Sequence, residues 1–119
     1  MTDFSGKVAV VLGASAEGGT GWAVAEAFAA AGAKVVVGAR RFELVQKLAN
    51  KIGGLAVRCD AGEENEVAAM IDAAKAKYGR VDIGVNSAGY PVRAQILSVT
   101  TQDLMDGMKI NYFGQVYFF

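Results

Sequence analysis

The sequence predicts an α/β fold, a doubly wound parallel sheet with helices on both faces. Three observations predict it. Short valine-rich runs alternate with single stretches of helical periodicity, and strands joined through one helix pair in parallel with right-handed crossovers. The runs are continuously apolar, as in strands covered on both faces. Just over half of the residues are apolar (53%), enough for the core such a sheet needs.

Lys7 to Leu12 (KVAVVL), bounded by Gly6 and Gly13, is the first strand. Gly21 to Ala31 is alanine-rich and helical, with Gly32 as its stop. Lys34 to Val37 is a second valine run. From Phe42 to Ile52, the residues Leu44, Val45, Leu48 and Ile52 recur at helical spacing. Leu55 to Cys59 is a third short strand. Glu63 to Tyr78 is the clearest helix: Val67, Met70, Ile71, Ala74 and Tyr78 line one face, acids crowd its first turn, lysines its last, and Gly79 follows. Val81 to Val85 is a fourth strand. Asn86 to Ser98 is a loop with Pro91 in an extended stretch, and Thr100 caps a last helix from about Thr101. No repeat, linker or low-complexity tract interrupts the chain, so residues 1–119 read as a single domain. It reads as an incomplete one, a fragment of a longer protein. The sheet stops at four strands, and the chain ends inside an apolar helical pattern, Val116-Tyr117-Phe118-Phe119, without a stop signal.

Twelve basic and twelve acidic residues cancel, so no bulk charge draws the chain to nucleic acid or to an anionic membrane. The chain has no histidine, which excludes a Ser-His-Asp triad, histidine-ligated metal and imidazole acid–base chemistry. Cys59 is the one cysteine, too few for an internal disulfide or a thiolate zinc cluster, and no metal site is expected. Cysteine usage and a polar start, Met1 to Gly6, without a signal-peptide core predict an intracellular, cytoplasmic protein. The apolar runs are too short to span a membrane.

An anion must then be held by local geometry, and the first strand–helix turn has it. Gly13 follows the strand, while Gly19 and Gly21 lead into the helix. Glycine permits a sharp turn and a close backbone approach, and the helix N-terminus offers free N–H groups and a favourable dipole to a diphosphate. Ser15 and Thr20 add hydroxyl donors. The competing reading is a turn that needs glycine for sterics alone; the strand before, the helix after and the second strand and helix in sequence weigh toward phosphate. After the second strand the chain reads Gly38-Ala39-Arg40-Arg41. A carboxylate there would bond an adenine ribose 2′-hydroxyl; two guanidiniums instead suit a 2′-phosphate, which favours NADP(H) over NAD(H). The bland alternative is that both arginines are solvated residues opening the second helix.

At this point the sequence resembles the short-chain dehydrogenase/reductase family, over the whole chain and with a Rossmann-type fold implied. Gly13-Ala14-Ser15 with Gly19-Thr20-Gly21 is similar to the family's glycine turn. In Cys59-Asp60-Ala61, the resemblance implies that Asp60 bonds the adenine amino group. Asn86-Ser87-Ala88-Gly89 is similar to the family's Asn-Asn-Ala-Gly, which stabilises the sheet and lies along the cofactor. Asn111 matches the family's helix asparagine, whose implied catalytic role is to hold a water in the proton relay. Two departures stand out. Five residues, Ala14 to Gly18, separate Gly13 from Gly19, a longer turn similar to the divergent branch with enoyl-thioester reductases, in which Ala16 and Glu17 would bulge outward. Ser87 replaces an asparagine.

The family's chemistry uses a serine and a Tyr-x-x-x-Lys pair, and none of Tyr78, Tyr90, Tyr112 and Tyr117 has a lysine four residues later. The resemblance therefore implies the cofactor half of an NADP(H)-dependent enzyme acting on a small-molecule carbonyl or alcohol, inactive as this chain alone, and a homo-oligomer (tetramer or dimer) through the last helix. An enoyl-thioester reductase and a non-catalytic nucleotide-binding module are the alternatives. Plainer roles also stand beside the functional ones. Asp60 could cap the third helix, Asn86 and Asn111 could be structural hydrogen-bonders, and Glu63, Glu64 and Glu66 could simply favour a helix start. Cys59 is expected as a buried small hydrophobe, Trp22 and Phe28 as helix packing, and Tyr90 to Arg93 as pocket lining by family analogy.

Overall fold

The computed structural model describes residues 3–119; Met1 and Thr2, which open the polar N-terminal stretch, lie outside the described residues. Valine fills the two middle strands because both of their faces are covered. β1 (Val8–Leu12) is buried throughout, and β2 (Lys34–Ala39) at every position but Lys34. They pair in parallel with Val10 opposite Val36. β3 (Leu55–Arg58) lies beside β2 and β4 (Ile83–Asn86) beside β1, both parallel, giving the order β3-β2-β1-β4. The edge strands are only partly buried.

Helices cover both faces, as expected. α1 (Thr20–Ala30) and α2 (Phe42–Ile52) pack Trp22, Ala25, Val45 and Leu48 against Val11, Val35 and Val37. α3 (Glu64–Tyr78) packs Val67, Met70 and Ala74 on the other face against Val10, Leu12 and Val36. Successive strand residues point to opposite faces, so one valine run serves both layers. Trp22 is core, and Phe28 packs at its margin, edge-on to Phe4 at 5.3 Å. α3 starts at Glu64, one residue later than expected, with Glu63 as its extended N-cap; Glu64 and Glu66 in the first turn, Lys75 and Lys77 in the last and a stop at left-handed Gly79 are as expected.

The last helical segment has three parts: α4 (Thr101–Met108), a π-helical turn (Lys109–Phe113) and α5 (Gly114–Phe118). Thr100 caps α4 as expected, and reciprocally: its Oγ1 accepts the Asp103 amide at 3.1 Å, while the Asp103 carboxylate accepts the Thr100 amide at 2.9 Å. The π-helical turn is not foreseen by apolar periodicity. Leu104, Met105, Met108, Tyr112, Phe113, Val116 and Phe119 are exposed along this segment. No helix among the described residues is long and apolar enough to cross a membrane.

Element boundaries differ from expectation where pairing decides them. β1 starts at Val8 rather than Lys7, and α1 at Thr20 rather than Gly21. β2 runs past Val37 to Ala39, because Gly38 pairs with both Leu12 and Val57 and Ala39 with Arg58. β3 ends at Arg58, one residue before Cys59. β4 spans Ile83–Asn86 rather than Val81 to Val85, since its ladder opens at the pair Ala9–Ile83. Asn86 thus closes a strand instead of opening a loop.

Candidate functional site

The strand order reverses at β1: β2 and β3 lie to one side and β4 to the other. Loops leaving the carboxyl ends of β1 and β4 must diverge there, which opens a crevice at the sheet's edge. The crevice is present, with a volume of about 190 Å³. All four strand ends contribute to it: Leu12, Gly13 and Ser15 after β1, Ala39 to Arg41 after β2, Cys59 to Ala61 after β3, and Ser87 to Tyr90 after β4, with Ile110 from the last helical segment.

Gly13 makes the turn after β1 at φ +88°, and a methyl group added there would lie 2.8 Å from Ala88 Cα. The backbones leaving β1 and β4 therefore touch, with no room for a side chain between them. Gly18 also has positive φ (+79°), and Ala16, Glu17 and Gly18 are exposed, so the longer turn bulges outward as expected. Gly19 precedes α1 at φ −80°, and no side chain caps the first turn, which also carries no acid. The amides of that turn are left to face an anion. Gly19 and the exposed Thr20 sit outside the crevice lining. Gly21 faces protein: it is buried, and a methyl group there would strike Ser87 Oγ and lie 2.6 Å from the Gly13 carbonyl oxygen. It lets the helix approach the turn.

Arg40 and Arg41 are both exposed at the crevice, and Arg41 Nη2 donates to Ser15 Oγ at 3.2 Å, so one guanidinium already reaches the glycine turn. Across the crevice, Asp60 Oδ1 accepts the Gly62 amide at 2.9 Å. That bond lies in the turn before α3, whose N-cap is Glu63 without a side-chain cap, so Asp60 does not cap the helix; it does line the crevice. Cys59 is buried as expected, and burial, aided by the neighbouring Glu66 and Asp60 carboxylates, pushes its thiol up to about 11, far from a reactive thiolate.

The two asparagines are both engaged by backbone. Asn86 Oδ1 accepts the Ala88 amide at 3.0 Å, and its Nδ2 donates to the Gly114 carbonyl at 3.4 Å. Asn111, in the π-helical turn, grips Tyr90 twice: its Nδ2 donates to the Tyr90 carbonyl and its Oδ1 accepts the Tyr90 amide, each at 2.8 Å. Neither asparagine lines the crevice. Ala88 and Gly89 do, as does Ser87, whose hydroxyl stands 3.1 Å from both the Leu12 and the Gly13 carbonyl oxygens. The replacement of an asparagine by Ser87 carries no sign of this role in the sequence, because its partners lie 74 and 75 residues away in the chain.

Residues 13–119 match the family model described as Enoyl-(Acyl carrier protein) reductase. The chain belongs to the short-chain dehydrogenase/reductase family. Within this family it is similar to tropinone reductase-like 2 of Erythroxylum coca, 45% identical over 86 residues (71% of this chain, 30% of that protein). It is 35% identical over 119 residues to the NADP-dependent (R)-specific alcohol dehydrogenase of Lentilactobacillus kefiri, covering 96% of this chain and 46% of that one. The crystal structure of a short-chain type dehydrogenase/reductase from Mycobacterium marinum superposes with a TM-score of 0.90 at 34% identity, over 98% of this chain and 48% of that one. The chain thus spans half or less of the length of these short-chain dehydrogenase/reductase relatives.

Proposed function

We propose that this chain is the cofactor-binding half of an NADP(H)-dependent short-chain dehydrogenase/reductase, one incomplete domain of a cytoplasmic enzyme. The complete enzyme would move hydride between nicotinamide C4 and a carbonyl or alcohol carbon. The observation that carries this reading is the crevice at the strand-order reversal, with an uncapped helix N-terminus beside the Gly13 turn and a guanidinium at Ser15. These residues fit a dinucleotide phosphate. Gly13, Ser15, Gly19, Thr20 and Gly21 form the turn that would meet the diphosphate, with Gly21 acting by bringing the helix close. Arg40 and Arg41 would meet the 2′-phosphate, Arg41 taking the larger share because it already bridges to Ser15. Asp60 and Ala61 would border the adenine, and Ala88 and Gly89 the nicotinamide side, with Asn86 holding that loop in place. The bound nicotinamide supplies the hydride; the protein orients it.

Asn111 is proposed to serve the relay by position. With both side-chain polar atoms spent on Tyr90, it shapes the π-helical turn, whose backbone is the part left to hold a water. The proton donor itself, the Tyr-x-x-x-Lys pair, is not in this sequence. The 119-residue chain is therefore expected to bind NADPH and to show no turnover with NADPH and a panel of ketones and aldehydes; measurable turnover would refute that assignment. The stated NADP dependence of the Lentilactobacillus relative supports the coenzyme choice. Titration with NADPH and NADH, repeated on Arg40→Ala and Arg41→Ala, checks it: tighter NADH binding by the parent chain would sink it. A second reading, an enoyl-thioester reductase, is favoured by the long Gly13–Gly19 turn and by the description of the matching family model. Its tyrosine and lysine would be spaced more widely than Tyr-x-x-x-Lys.

A further inference from the structure

Three acids open α3, and a helix start is explanation enough for any of them. The structure separates them. Glu64 is exposed, and Glu63 pairs with Lys109 on the last helical segment at 2.6 Å. Glu66 turns back toward the sheet: its Oε1 accepts the Asp60 amide at 3.1 Å and Arg58 Nη1 at 3.0 Å. One carboxylate oxygen thus holds the Asp60 backbone amide, just after buried Cys59, and takes the Arg58 guanidinium from just before it, where the chain leaves β3 and enters the crevice wall. Asp60 Oδ1 is committed to the Gly62 amide, so the direction of its other oxygen depends on how this short turn is held.

We propose that Glu66 is a positioning residue for the adenine end of the crevice, fixing the Asp60 carboxylate so that it can accept the 6-amino group of the base. This rests on the reading that a dinucleotide binds with its adenine beside Asp60. What the role needs is an acceptor oxygen at the reach of a glutamate side chain. A helix start needs only negative charge in the first turn. Arg58 orients the acceptor and has a lesser effect.

The test uses fluorescence titration of the 119-residue chain with NADPH and with its hypoxanthine analogue, which has an oxygen where adenine carries the amino group. The parent chain should prefer NADPH. Glu66→Asp keeps the charge but falls short of the Asp60 amide, and it should lose that preference by roughly five- to tenfold, through weaker NADPH binding with the analogue little changed. Glu66→Gln keeps an acceptor of the right reach and should retain most of the preference. Arg58→Met should move in the direction of Glu66→Asp by a smaller factor. The opposite pattern, Glu66→Asp like the parent and Glu66→Gln impaired, would assign Glu66 to the helix dipole and overturn the proposal. So would equal weakening of both nucleotides. A parent chain that binds NADPH without any preference for adenine would instead overturn the underlying placement of the base. Amide exchange at Asp60, faster in Glu66→Asp and near parent in Glu66→Gln, reads the positioning without any nucleotide; unchanged exchange in Glu66→Asp would also overturn it.

Discussion

A methyl group at Gly13 would sit 2.8 Å from Ala88 Cα, on a backbone already at φ +88°. Gly13→Ala therefore combines a left-handed alanine with a backbone clash, and it is expected to cost more than about 2 kcal/mol in chemical denaturation, with NADPH binding lost at temperatures where the variant still folds. Asp82 is a different kind of single-residue constraint. Its Oδ2 accepts the Val8 amide at 2.8 Å and its Oδ1 accepts Arg80 Nη2 at 2.6 Å, so it ties the start of β1 to the approach to β4. The Arg80 guanidinium and the Val8 amide hold its carboxyl below the usual aspartate range. A carboxyl lowered by folding contributes stability above its unfolded pKa, about 3.9, and that contribution is lost as pH falls through the lower folded value. Asp82→Asn should therefore melt below the parent chain at pH 7, and the gap should narrow as the pH drops below about 4.

The last helical segment has the local signals of an ordinary helix, a Thr100–Asp103 capping box and apolar spacing, yet it widens at Lys109–Phe113. The cause is tertiary. Asn111 is drawn to the Tyr90 backbone, Lys109 to Glu63, and the next residue, Gly114, packs so close that a methyl group there would lie 2.6 Å from the Ala61 carbonyl oxygen. The turn is thereby fastened to both walls of the crevice. Asn111→Ala removes two hydrogen bonds from a backbone pair, and a loss of about 1–3 kcal/mol is expected. In hydrogen exchange the Tyr90 amide should open faster while Val10 and Val36, in the central strands, stay protected. Thr100→Ala, by contrast, removes only the cap, and about 1 kcal/mol of stability should go with it, leaving the Tyr90 exchange rate unchanged.

Over the whole molecule, two properties follow from the way the layers close. A ligand that binds only the folded chain stabilises it by mass action, about 2.7 kcal/mol at a hundred times its Kd. NADPH should raise the melting temperature more than NADH at equal concentration, and Arg41→Ala should narrow that difference. The sheet is covered on both faces, but Met105, Met108, Tyr112, Phe113 and Val116 are left exposed on one segment. The homo-oligomer that the family resemblance implies through the last helix is tested on this segment. Sedimentation at micromolar concentration should give dimers or tetramers, and the double variant Phe113→Lys, Val116→Lys a monomer; a monomeric parent chain would contradict this.

What the sequence determined by itself was the fold class, four strands and the helices between them, because periodicity and valine content depend on local chain geometry and on which faces are buried. The glycine turn and the arginines after β2 were legible for the same reason: turn geometry and the residues adjoining a strand end are local. Tertiary structure alone decided the strand order, and with it the crevice where four distant loops converge. It also divided roles that look alike in sequence. Gly13 lines the crevice while Gly21 packs against Ser87; Glu66 holds Asp60 while Glu64 faces solvent; Asn111 spends its side chain on Tyr90. These distinctions rest on partners brought together across the sheet, and contact between residues dozens of positions apart leaves no periodicity to read.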